Sequence, residues 1–265
     1  VQNKVDLITY KEVLSNYSEI TKFVNKSGIP KSPIIPVAAQ SSLNIDALIG
    51  AVEETIETPT RDESKNTVLH VLRSFDINKP GTKIKNLNGG VIGGSLIQGK
   101  FSIGDEIEIK PGLQNEKKKN YQSIHTEIVS LGTGAGIVDV VKPGGLVAIG
   151  TKLDPSLTRS DSLIGSVIGK PDTLPENSTG AKLQVNLFDT AVGSAGETKV
   201  TPIKVDELLR VSVGTAPVPA KVTKVTSDNV EIEFKRPVCI FAKGSVALSR
   251  RIAERWRLIG AGVID

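Results

Sequence analysis

A single cysteine, Cys239, occurs in 265 residues. No intrachain disulfide can form, thiolate metal clusters are excluded with it, and His70 and His125 alone do not make a metal site. A reducing, cytosolic setting is expected. Aromatic residues are scarce, 4% in all, with one tryptophan, Trp256. No apolar run reaches the roughly 18 residues a membrane-spanning helix needs, so no membrane partner is expected. Methionine is absent altogether, and the opening Val1-Gln2-Asn3-Lys4 has no signal-peptide pattern. Because translation starts on methionine, a processed or partial chain is expected.

What remains is the composition of a globular chain, 38% hydrophobic and 23% charged with net charge +4. The length predicts about two domains, large enough to bury a core without metal or disulfide. The charge is unevenly placed. Lys235, Arg236, Lys243, Arg250, Arg251, Arg255 and Arg257 stand against one acid, Glu254, over residues 235–257. Such a strip suits a polyanion or an acidic partner, and equally a solvated sheet face.

The first sixty residues read differently from the rest. Val13, Leu14, Tyr17, Ile20 or Thr21, and Val24 recur at helical spacing, predicting a helix over 10–26 that Gly28 and Pro30 end. Ile34-Ile35-Pro36-Val37 suits a short buried strand. Asn44 is expected to cap a second helix with the apolar face Ile45, Leu48, Ile49, Val52 and Ile56. Strand and helix alternating is an α/β pattern. Residues 60–66 are polar and read as a linker. Beyond them the helical period vanishes, and short apolar runs at 68–75, 91–96, 106–110, 124–131 and 146–149 are separated by Gly and Pro pairs. Ile107 and Ile109 alternate with Glu106, Glu108 and Lys110, the period of a half-buried strand. After a polar, Pro-containing stretch at 169–177, the strand signal resumes through 264. The 115–121 segment reads as a solvated hairpin tip. The expected architecture is an α/β part over 1–60, then β-barrels over 61–175 and 176–265.

Asn3-Lys4-Val5-Asp6 carries the clearest chemistry. N-K-x-D is the guanine-specificity element of GTP-binding proteins. A carboxylate at Asp6 can accept from both the N1–H and the exocyclic amine of guanine, whereas adenine lacks that pair of donors. Asn3 can bond the base edge and brace a neighbouring loop, and the aliphatic stem of Lys4 can lie over the ring. About thirty residues on, Val37-Ala38-Ala39-Gln40 stands where GTPases place a Ser-Ala-x loop whose backbone N–H groups meet the guanine carbonyl. Ala38 replaces the usual serine, so the side-chain brace is lost while donation from Ala39 is expected to survive. No G-x-x-x-x-G-K-[ST] phosphate loop or D-x-x-G switch is found. Gly89-Gly90-Val91-Ile92-Gly93-Gly94 is not one; it reads as a tight turn or a place where a ligand approaches backbone.

On these motifs, the whole chain resembles the gamma subunit of archaeal and eukaryotic translation initiation factor 2, a relative of elongation factor Tu. The matching stretches include Val1-Gln2-Asn3-Lys4-Val5-Asp6, Arg73-Ser74-Phe75-Asp76-Ile77-Asn78-Lys79-Pro80-Gly81 and Gly89-Gly90-Val91-Ile92-Gly93-Gly94-Ser95. Pro143-Gly144-Gly145-Leu146-Val147-Ala148-Ile149-Gly150-Thr151, Leu153-Asp154-Pro155-Ser156-Leu157-Thr158, Ala247-Leu248-Ser249-Arg250-Arg251-Ile252 and Trp256-Arg257-Leu258-Ile259-Gly260 continue it. The resemblance implies the C-terminal part of a GTPase domain followed by two barrels. It implies a GTP hydrolase that binds GTP or GDP with Mg2+, whose phosphate loop, switches and Mg2+ ligands would lie upstream; this chain alone is expected to be inactive. It implies delivery of methionylated initiator tRNA to the small ribosomal subunit, within a heterotrimer with alpha and beta subunits, in the cytoplasm.

Asn3, Lys4, Asp6, Ala38, Ala39 and Gln40 carry over as the guanine site; no catalytic residue and no metal ligand does. Gly90, Val91 and Gly93 are candidates for the surface that meets the acceptor end of tRNA, with a barrel turn as the rival reading. Arg251 and Arg255 are candidates for RNA phosphate contacts, which would be salt-dependent and sequence-blind. Arg251 is expected to face out from its strand, while Arg250 shares the core parity and is expected at a strand end or bulge. Trp256 reads as barrel packing. Two other classes fit parts of the pattern: another tRNA-delivering GTPase of the elongation or selenocysteine-factor type, and a binding scaffold without nucleotide chemistry.

Overall fold

A computed structural model describes residues 1–26, 32–114, 120–193, 198–227 and 229–265. Gly28, Pro30 and most of the 115–121 segment lie outside the described residues. The chain divides into two compact units, Val1–Thr60 and Arg61–Asp265, and no helix is long and apolar enough to cross a membrane among the described residues.

The first unit is a small α/β element. Its extended part is a parallel bridge between Gln2 and Pro36. The Gln2 N–H donates to Ile35 O at 2.9 Å, and the Val37 N–H donates to Gln2 O at 2.8 Å. The strand expected at 34–37 is therefore cut to this bridge, because among the described residues only the segment around Gln2 pairs with it. Helix α1 (Tyr10–Lys26) follows. Thr9 and Glu12 start it: the Glu12 carboxylate accepts from the Thr9 N–H at 2.8 Å and from its hydroxyl at 2.7 Å, the return half of a capping box. Those bonds hold the Glu12 carboxyl below its usual range. Helix α2 (Ile45–Thr55) begins after Asn44, which takes a left-handed conformation. Asn44 does not cap it with its side chain, as expected from sequence; its amide instead donates to Pro36 O at 3.0 Å, tying the helix start to the bridge.

The second unit holds both barrels. Its strands are β1 (Val68–Phe75), β2 (Val91–Gln98), β3 (Phe101–Ser102), β4 (Glu106–Gln114), β5 (Tyr121–Thr133), β6 (Gly136–Val138), β7 (Val140–Val141), β8 (Leu146–Thr151) and β9 (Val167–Gly169). Then come β10 (Asn177–Val192), β11 (Leu208–Val213), β12 (Ala216–Val225), β13 (Asn229–Cys239), β14 (Ser245–Ile252) and β15 (Arg255–Ile264). In the first barrel β4, β9, β1, β2, β8 and β5 run in sequence, β4 pairs back onto β5, and β6 hangs on β5. The second closes as β10-β13-β12-β11-β14-β15. All the pairings are antiparallel, and closure leaves the ring strands no free edge.

Alternation explains both cores. Leu69, Val71, Ile92, Leu96, Ile107, Ile109, Ile149 and Ile168 fill the first; Leu183, Leu209, Val211, Val218, Leu248 and Ile259 are among those filling the second. A separate apolar seam of Val68, Val167, Leu174 and Cys239, with Phe241 against it, joins the barrels. The close approach there needs glycine. A side chain at Gly165 would meet Ala216 at 2.7 Å, and one at Gly214 would meet the His70 ring at 2.9 Å.

The seam also corrects the reading of β4. Glu108 and Lys110 were expected on a solvated face, yet they are 4% and 7% exposed. The linker between the barrels covers that face. Lys110 Nζ lies 3.6 Å from a Glu108 oxygen and donates to the carbonyls of Leu174 and Pro175 at 3.3 Å. A charge so buried is tolerated because it is paired and hydrogen-bonded.

Candidate functional site

The N-K-x-D residues form one compact loop in the first unit. Lys4 adopts a left-handed conformation, φ 64°, and Asp6 sits in a single 3-10 turn, Val5–Leu7. The Val5 N–H donates to Val37 O at 3.3 Å, so the loop lies against the 37–40 segment. Asn3 binds the two together: its side-chain oxygen accepts from the Lys4 N–H at 2.8 Å and from the Ala39 N–H at 3.1 Å. Ala38 is buried, 1% exposed, and its backbone exchanges bonds with Leu43 at 3.3 and 3.1 Å. Ala39 and Gln40 are exposed within the following 3-10 turn, Ala39–Ser41.

The six sequence-selected residues are thus brought together on two adjoining loops. The Asp6 side chain is exposed and makes no hydrogen bond with another described residue. An unengaged carboxylate next to a backbone-lined loop is the donor-accepting arrangement that guanine's N1–H and amine require. One expectation changes in detail. The Ala39 N–H is already given to Asn3, so a base carbonyl reaching it would share that hydrogen.

The tRNA-facing candidates separate. Gly90 is buried, and a side chain there would strike Thr158 at 2.3 Å. Its carbonyl accepts from the Thr151 hydroxyl at 2.7 Å. Gly90 therefore makes room within the barrel, the rival reading. Gly93 faces outward beside Arg73 and the Phe75 ring, with both just 3.7–3.8 Å from where its side chain would stand. Val91 shares that face, two residues before it on β2. Next to them opens a cleft of about 590 Å³ whose lining includes Arg73, Phe75, Asp76, Lys79, Arg159 and Asp161. Arg73 lies over Phe75, 5.4 Å from its centroid, and donates to Asp161 at 2.9 Å. That bond, first, holds the Asp161 carboxyl below its usual range. Nothing in local sequence signalled the clasp, since its partners lie 88 residues apart.

The basic strip is not one surface. Arg250 keeps the inward parity of Val246 and Leu248 on β14 and is clamped by Glu207, Nη2 to Oε2 at 3.1 Å, and by the Thr201 carbonyl and hydroxyl at 2.9 Å. Arg251 is exposed and ion-paired with Glu254. Arg255 is exposed without a hydrogen bond to another described residue. Trp256 is half-buried and stands outside the buried core cluster, a correction to its reading as barrel packing: it pairs with Arg251 near the hairpin tip, away from the buried cluster.

Compared with known proteins, residues 179–264 match the family model "Initiation factor eIF2 gamma, C terminal". The chain is 49% identical over 263 residues to translation initiation factor 2 subunit gamma of Archaeoglobus fulgidus, covering 99% of this chain and 62% of that protein. The same subunit of Aeropyrum pernix is 48% identical over 267 residues, covering 100% and 64%. That of Pyrococcus furiosus is 48% identical over 265 residues, covering 99% and 64%. The chain spans less than two thirds of the length of these relatives. Among solved structures, apo elongation factor SelB of Methanococcus maripaludis matches with TM-score 0.75 and 17% identity, over 99% of this chain and 58% of its own. A bacterial selenocysteine-specific elongation factor matches with TM-score 0.74 and 15% identity, over 99% and 38%. At such identities the likeness speaks to the fold alone.

Proposed function

Because the chain belongs to the translation initiation factor 2 gamma family, we propose that it supplies the guanine-reading rim and both barrels of a GTP-switched carrier of methionylated initiator tRNA. The complete protein would bind GTP or GDP with Mg2+, associate with alpha and beta subunits, and deliver the tRNA to the small ribosomal subunit in the cytoplasm. The observation that carries the nucleotide part is the pair of hydrogen bonds that the Asn3 side chain accepts. One amide oxygen holds the Lys4 and Ala39 N–H groups, making one rim of two loops with the Asp6 carboxylate free beside it. Asp6 would take the guanine N1–H and amine, and the Lys4 stem would cover the ring. Hydrolysis would belong to the complete protein, with the phosphate loop and Mg2+ ligands in the part of its relatives' length that this chain does not span.

For RNA, Arg255 is the favoured phosphate contact, since Arg251 already shares its charge with Glu254. Val91 and Gly93 remain the candidates for the acceptor end, and Gly90 does not. The elongation or selenocysteine-factor reading shares the fold but lacks comparable sequence similarity.

The test is binding of methionylated initiator tRNA and of an elongator tRNA to the full-length protein, with GTP and with GDP, at two salt concentrations. The proposal expects tight binding with GTP only and a preference for the initiator. Equal binding of both tRNAs, without nucleotide effect and with a steep salt slope, would overturn it.

A further inference from the structure

Gln2 stands immediately before the N-K-x-D loop and is 3% exposed. Its backbone is held by the bridge to Ile35 and Val37. Its side chain runs to α1. There Nε2 donates to the Val13 carbonyl at 2.9 Å and to the Asn16 side-chain oxygen at 3.1 Å. The other amide atom, Oε1, is buried and without a partner among the described residues. Two acceptors on one side fix the orientation of the amide, since turning it over would set oxygen against the Val13 carbonyl.

A buried amide with one atom unpaired costs stability, and an apolar side chain of similar volume would fill the space without that cost. What the amide adds is a fixed point. The residue that opens the loop is joined to the bridge by its backbone and to the helix by its side chain. Two residues on, Lys4 makes a left-handed turn, and Asp6 follows within a single 3-10 turn that has no other anchor on its own side chain. Asn3 and Val5 then hold the loop to the 37–40 segment, so Gln2 supplies the first of the points from which the carboxylate is placed, and the only one on α1 among the described residues.

We propose that Gln2 is a positioning residue for guanine selection: by pinning the start of the N-K-x-D loop to α1, it holds Asp6 where one carboxylate accepts both the N1–H and the exocyclic amine. The inference rests on the guanine-site reading. Gln2 itself touches no base. A purely structural role would change stability while leaving the choice between bases alone; a positioning role changes the choice.

The experiment measures GDP and IDP affinity of the full-length protein by competition with a fluorescent nucleotide, alongside thermal unfolding. Inosine keeps the N1–H and lacks the amine, so the GDP-to-IDP ratio reads the second hydrogen bond. The wild type is expected to prefer GDP by about tenfold or more, the worth of a bond to a charged group. Gln2→Met keeps the packing volume and removes the donors; its ratio should fall close to one with folding retained. Asn16→Ala removes one acceptor and should lower the ratio by roughly threefold, and it decides the matter if Gln2→Met does not fold. A wild-type preference that both variants keep overturns the role of Gln2 and leaves the guanine site standing. A wild type with no preference, or one indifferent to Asp6→Asn, overturns the guanine reading itself.

Discussion

In the proposed guanine site, Asp6 would read the base and Asn3 would brace the two loops, and substitution separates the two roles. Asp6→Asn exchanges an acceptor pair for an amide that can donate. Guanine affinity should fall by roughly two orders of magnitude, as two bonds to a charged group are lost, and xanthine nucleotides, which carry a carbonyl in place of the amine, should gain. Competition with a fluorescent nucleotide on the full-length protein checks both. Arg250 and Arg255 make a second contrast. Arg250→Ala takes the cation from the half-buried Glu207 carboxylate, which keeps only the Lys204 N–H, and should cost about 2–3 kcal/mol in urea unfolding. Arg255→Ala should leave stability within about 0.5 kcal/mol and lower the salt slope of RNA binding. Sequence showed the charges and, through strand parity, the inward side of Arg250, but it could not show the clamp, because Glu207 lies 43 residues away. The N-K-x-D loop was legible because all its parts are local, whereas the Gln2 anchor needed the helix to be placed first.

At the scale of the strand, β2 and the residue just before it hold two glycines with opposite meanings. Gly90→Val should destabilise by about 1–3 kcal/mol, the cost of forcing a side chain into Thr158, read as a lower urea midpoint with an unchanged slope. Gly93→Ala meets only ordinary contacts and should leave that midpoint in place, so any loss of tRNA binding would belong to the surface. A run of glycines in sequence cannot distinguish room made for a neighbour from room left for a ligand. The distinction is set by strand parity and by Thr158, which arrives from a different segment. Strand β4 shows the same limit from the other side. Its alternation correctly placed Ile107 and Ile109 in the core, but alternation says only that two faces differ. It does not say that the second barrel and the linker cover the polar one, as they do over Glu108 and Lys110.

Across the whole second unit, the barrels are joined by a seam whose behaviour depends on pH. His70 is held against Phe241, ring centroids 6.2 Å apart, and burial lowers its pKa from 6.5. The unfolded chain therefore takes up the proton first. Stability is intact above 6.5, falls as pH drops through that value, and levels once the folded form is protonated too. The urea midpoint should drop as pH falls through 6.5, and His70→Gln should flatten that drop. Carboxylates held low, such as Asp161, lose their contribution as pH falls below 3.8, so the loss due to His70 begins at higher pH. The alternation of apolar residues and the Gly and Pro punctuation made two barrels legible. Their common seam was not, because its contacts pair β1 with the turn at Gly214 and β4 with the linker before β10.

Cys239 lies in that seam, 3% exposed, 3.6 Å from the Pro175 carbonyl, with burial raising its pKa to about 11. A thiol so placed is both out of reach and almost wholly un-ionised at neutral pH. Since no second thiol competes with it, a chromogenic disulfide reagent added to the native chain becomes a stopwatch. The colour would develop at a rate that stops rising with reagent concentration, and that plateau is the frequency with which the two barrels part.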